Sequence, residues 1–108
     1  MKLSSVGEVI AERKLLLRGD AASDREVVVL LGKPLPFPDS NDYYCPYQIK
    51  GIGEEKVKYL GGVDAFQAIG FAMQALGAEL QVLNEKASGK LYWDGDKEGS
   101  LGFPISEE

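Results

Sequence analysis

The chain has no histidine, a single cysteine and one tryptophan, and no apolar run approaches the ~20 residues that span a bilayer. Without histidine, the commonest general base at neutral pH and the usual orienting partner of serine and cysteine nucleophiles are both missing. Catalytic triads and imidazole-bound metals are excluded. One thiol cannot close an internal disulfide, and without histidine it cannot build a structural zinc site. Basic residues are also scarce: 12 Lys and Arg stand against 17 Asp and Glu, net −5, and they are scattered. The clustered positive charge that neutralises phosphates is absent, which argues against nucleic acid and anionic membranes as partners. The opening segment MKLSSVGEVIAERK lacks the continuous apolar stretch of a secretion signal. We expect a cytoplasmic protein with no cofactor and no metal.

What is present suits one hydrophobic core. At 108 residues, 44% hydrophobic and 27% charged, residues 1–108 read as a single domain. Val9 to Leu17 shows a noisy period-two pattern, with Val, Ala, Arg, Leu and Leu at the odd positions, and reads as a first strand. GDAASD is turn chemistry, and Arg25 to Leu31 (REVVVLL) is apolar on both faces, as a central strand is. In KPLPFPDSND, Pro34, Pro36 and Pro38 fix φ and remove three donors, which predicts a stiff connector without a ladder. From Tyr43 to Lys50, Tyr43, Cys45, Tyr47 and Ile49 alternate with Tyr44, Pro46, Gln48 and Lys50, a third strand. After GIGEE, Val57 and Tyr59 alternate with Lys56 and Lys58 in a fourth, completing a meander. KLYWDG reads as a fifth strand with Leu91 and Trp93 on one side, and LGFPI as a short final strand.

The period changes in GGVDAFQAIGFAMQALGAELQVLN, where Phe66, Ile69, Met73, Leu76, Leu80 and Leu83 recur three and four apart. This is one long helix. Asp64 with Gln67 has the spacing of a capping box and sets its start. Gly70 and Gly77 each cost about 1 kcal/mol of helix propensity relative to alanine. They predict a close approach of the helix backbone to the sheet, at Tyr47 or Tyr59. The expected architecture is α+β in two layers, an antiparallel sheet of five to six strands with one long α-helix packed on one face.

With these elements placed, the chain resembles an uncharacterised family of small bacterial proteins, a domain of unknown function. The likeness rests on AERKLLL, DYYCPYQIKG, GGVDAFQAIGFAMQALGAEL and LGFP, and runs from about Val9 to Pro104. It implies bacterial origin and a compact α+β domain that stands alone. It implies no activity, cofactor or catalytic residue.

The residues themselves offer few sites. Cys45 shares its strand face with Tyr47 and Ile49 and reads as a structural thiol. The acids cluster in loops, where a solvated surface explains them better than paired catalytic carboxylates. Asp94, Asp96, Glu98 and Gly99 match the first, third, fifth and sixth positions of a calcium loop, but the twelfth is Ile105, so a polar turn or weak calcium binding is expected. Gly61 and Gly62 precede the helix without the Gly-Lys-Ser/Thr of a phosphate loop. Two surfaces suit a protein partner. Phe71, Ala75, Ala78 and Val82, spaced four, three and four, form a second apolar stripe that a two-layer domain need not bury and that permits helix-to-helix homodimerisation. The alternative is that LGFPISEE folds over it. Asp39, Asp42, Tyr44, Asp94 and Asp96, with Phe37, Tyr43 and Trp93, would form an acidic rim around aromatics if the third and fifth strands end together. We expect a non-catalytic protein-binding domain, self-associating or an acidic adaptor, inhibitor or immunity-like protein. A small enzyme or ligand carrier with a pocket between helix and sheet is the alternative.

Overall fold

The computed structural model describes residues 1–19, 24–94 and 100–104. Along the chain run β1 (Val9–Leu17), β2 (Arg25–Gly32), β3 (Leu35–Pro36), β4 (Tyr43–Lys50), β5 (Lys58–Gly62), α1 (Ala65–Lys86) and β6 (Leu91–Tyr92). All strand pairs are antiparallel, and with α1 packed on the sheet the fold is α+β. On β4, Tyr47 faces Leu31 of β2 and Lys58 of β5, while Tyr43 faces Pro36 of β3 and Gly62 of β5. β3 therefore continues the row of β2, and the rows run β5, β4, β2 with β3, β1, β6.

The proline-rich connector is more ordered than its composition suggests, because it contains β3. The Phe37 N–H donates to the Asp42 carbonyl at 2.9 Å. Antiparallel alternation then puts Leu35 and Phe37 on the bonded positions and turns Pro34 and Pro36 away from β4, where their missing donors leave no gap. Between Tyr44, which faces β3, and Tyr47, which faces β2, Cys45 and Pro46 have no described strand partner on that edge. Pro46 has no N–H to orphan there. The Cys45 thiol donates to the Gly32 carbonyl at 3.4 Å, satisfying a group that the break leaves out of the ladder.

LGFP is not a strand. Leu101 and Gly102 both adopt left-handed backbone, φ 58° and 81°, so the chain reverses there and lies as a strap against α1 and Trp93. The fifth expected strand is real but shrinks to Leu91–Tyr92, paired with Leu17 and Leu16.

Asp64 caps α1 by accepting from the Gln67 N–H at 2.8 Å, and the Gln67 Oε1 accepts from the Val63 N–H at 2.8 Å. Of the expected apolar arc, Leu76 and Leu80 are buried and Ile69 and Leu83 pack against the core, but Phe66 is 88% exposed, and Ala68 and Ala72 complete the buried line in its place. The reason lies in β5. A Cβ on Gly62 would sit 2.5 Å from the Ala68 nitrogen, so strand and helix backbones meet there and only alanines fit between them. The close approach expected of the helix glycines thus belongs to a strand glycine. Gly77 meets the strap, with a Cβ 2.5 Å from the Pro104 carbonyl oxygen, and a Cβ on Gly70 would meet no described atom within 4 Å. At the far end, the Asn84 side chain accepts from the Leu91 N–H at 2.9 Å and ties the helix terminus to β6.

Candidate functional site

Once Gly62 and the Asp64 cap set the rotation of α1, one flank of the helix is left outside the core. Phe71 is 40% exposed and Val82 49%, Ala78 is exposed, and Ala75 is half-buried between them. Phe71, Ala78 and Val82 are thus exposed along one helix flank, and Ala75 packs against the core between them. The described part of the closing segment does not cover Phe71 or Val82: Phe103 and Pro104 pack at Gly77, and Ser100, Leu101 and Pro104 border a groove that Ala78 also lines. Residues 105–108 lie outside the described residues. Gln67, Gln74 and Gln81 flank the stripe and are exposed. Between Asp64 and Glu85 the helix carries one charged side chain, Glu79, and the Lys58 ammonium of β5 holds it at 2.9 Å. That hydrogen bond holds the Lys58 ammonium above its ordinary range.

The acidic and aromatic residues do not assemble into one patch. Tyr44 points to the sheet face opposite α1, where its ring lies 5.2 Å from Phe37 and 5.8 Å from Tyr59. Trp93 packs on the helix side, against the core. Two strand rows, β2 and β1, separate β4 from β6. Asp39 and Asp42 occupy the β3–β4 turn, where the Asp42 N–H donates to the Ser40 hydroxyl at 3.1 Å. Asp94 follows β6 on the other side of the sheet, and Asp96, Glu98 and Gly99 lie outside the described residues, with the calcium-like turn they belong to. Asp39, Asp42 and Tyr44 thus form one edge, without Asp94. Among the described residues, no group of three or more His, Cys, Asp or Glu side chains is placed to hold a metal ion.

Cys45 is fully buried, and burial pushes its thiol from 9.0 up to about 11. A thiol held that far above neutrality is a poor nucleophile. Its titration has a stability consequence. The folded-state value exceeds the unfolded one, so the contribution is whole below pH 9 and is lost as pH rises toward 11, by roughly 2–3 kcal/mol. Burial raises the Tyr47 phenol as well, which adds to the same alkaline loss. Urea unfolding at pH 7.5, 9, 10 and 11 should therefore show a falling midpoint that Cys45→Ala makes shallower. A midpoint level to pH 11 would refute this account.

Arg13 went unnoticed in the sequence. Its guanidinium lies 3.8 Å from the Trp93 ring centroid and 4.9 Å from that of Phe103, and Nη1 donates to the Leu101 carbonyl at 3.2 Å. The signal was available: a lone arginine among the odd, inward positions of β1 must find a partner. Behind it lies a cleft of about 140 Å³ lined by Val29, Leu31, Met73, Leu76 and Phe103.

The model of the family described as "Domain of unknown function (DUF6968)" matches residues 11–105, and the chain belongs to that family. No curated protein and no solved structure matches the chain.

Proposed function

We propose that this DUF6968 protein is a non-catalytic, single-domain module of bacterial, cytoplasmic origin that acts by binding another protein through the outer flank of α1. The carrying observation is the run Phe71, Ala75, Ala78 and Val82 on a capped helix, with Phe71, Ala78 and Val82 exposed and the strap bordering it only at Ala78. A large aromatic on a fixed scaffold, with small residues beside it, supplies an anchor and close approach together. A ligand carrier is the second reading. A groove of about 470 Å³ lies between the last turns of α1 and the strap, lined by Gly77, Gln81, Asn84 and Pro104. Another of about 300 Å³ lies between α1 and the sheet beside Lys58, Glu79 and Leu83. Both are large enough for a small molecule, whereas the cleft beside Arg13 is about 140 Å³. The buried, alkaline thiol of Cys45 counts against the thiol-enzyme version.

Asp39, Asp42 and Tyr44 provide an internal comparison, being exposed or half-buried on the β3–β4 edge and not on the α1 flank. The test is capture of partners on wild-type protein, followed by titration of each purified partner against wild type, Phe71→Asp and Asp39→Asn/Asp42→Asn. Phe71→Asp should weaken a genuine partner at least thirtyfold while the melting temperature stays near wild type, because hot-spot aromatics are worth about 2 kcal/mol or more. A partner that loses affinity only in the Asp39→Asn/Asp42→Asn variant would move the site to the β3–β4 edge and overturn the helix reading.

A further inference from the structure

We propose that the partner of the α1 flank is a second copy of this chain, docked antiparallel about a two-fold axis that passes between Ala75 and Ala78. The inference rests on the reading of that flank as a binding surface and adds its occupant and register. The spacing four, three, four is the same in both directions. Reversing the helix about that axis sets Phe71 against Val82 of the second copy and Ala75 against its Ala78, large against medium at the ends and small against small in the middle. Isologous interfaces require this kind of self-complementarity.

Charge agrees with it. A chain of net −5 repels its own copies over most of its surface, yet α1 carries only Glu79 between Asp64 and Glu85, which Lys58 neutralises, and the charges beside Val82, Glu54 and Glu55 with Lys56 and Lys86, balance. In a two-fold antiparallel pair, like flanks meet, so the glutamine line faces itself, with Gln74 beside Gln81 of the other copy. A primary amide donates and accepts, and so pairs with its own kind. The 22 residues of α1 give a footprint about 33 Å long and 10 Å wide, roughly 330 Å² per copy. That is under half of the ~800 Å² per partner in a standard interface, so the dimer is reversible, with a dissociation constant of about 10 μM to 1 mM.

Sedimentation velocity up to about 0.5 mM covers that range. Wild type should shift from monomer to dimer with concentration. Phe71→Lys and Val82→Glu should each remain monomeric, and their equimolar mixture should dimerise again, because one pair of contacts then becomes lysine against glutamate while the other stays Phe71 against Val82. A wild type that is monomeric at the highest concentration overturns the proposal, and so does a dimer that the mixture fails to restore. Neither result touches the broader binding reading, which the Phe71→Asp titration with a different partner decides separately.

Discussion

Gly62→Ala is expected to destabilise the protein by roughly 3 kcal/mol or more. The added carbon would lie 2.5 Å from the Ala68 nitrogen and 2.9 Å from the Gln67 carbonyl carbon. Both belong to helix backbone in the first turn, so no side-chain rotation relieves the overlap. The helix must lift from β5, and lifting it opens the contact made by Ala68 and Ala72, which are fully buried. The same turn holds the reciprocal Asp64–Gln67 cap, so the strain reaches the bonds that start the helix. Gly70→Ala is the matched control. Open space surrounds that position, and the substitution should be neutral or stabilising by up to about 1 kcal/mol. Urea unfolding of both variants decides the matter. Equal stabilities would remove the reason given for the helix's rotation, and with it the reason Phe71 faces outward.

Arg13→Ala ranks second, at about 2–3 kcal/mol, because three interactions end together: two ring stacks and the hydrogen bond to Leu101. The side chain's aliphatic stem also packs there. Trp93 is the only tryptophan, so its fluorescence reports this site alone. In Arg13→Ala the emission should move to longer wavelength in native buffer, as the strap loosens and water reaches the ring. Arg13→Lys should restore part of the stability and little of the spectrum, since an ammonium cannot stack as a planar guanidinium does. An unchanged spectrum in Arg13→Ala would mean that the strap is held by its own turn and by Gly77.

Where each residue's surroundings are local, the sequence was a good guide. β1 and β4 begin and end where alternation places them, and Asp64 starts the helix as its spacing with Gln67 requires. The apolar stripe was legible for the same reason, since helical geometry alone puts Phe71 and Val82 on one line. Failures came where distant backbone decided. Phe66 looks like core on a wheel, but the wheel's orientation depends on Gly62, outside the helix. Leu101 is β-compatible by composition, yet its left-handed φ of 58° is set by the packing of the strap. The acidic and aromatic patch failed because its halves lie on opposite faces and different rows of the sheet, which is a matter of strand order. Arg13 lost its meaning for a similar reason: Trp93 and Phe103 reach it from at least 80 positions along the chain.

The strand lengths at the margins of the sheet bear on what this protein can assemble into. On one margin β6 covers only Leu16 and Leu17 of β1 and leaves Val9 to Leu15 without a described strand partner on that side, and the exposed end of the β2 row is the two residues of β3, whose proline has no N–H to offer. The other margin, β5, runs five residues, closes on Gly61 and Gly62, and lies under α1. Templating of strand on strand needs a long, flat, donor-rich border, and only the outer edge of β1 has the length, where Glu12 and Lys14 place charge on it. Any strand added to this sheet must therefore pair along a charged stretch of β1.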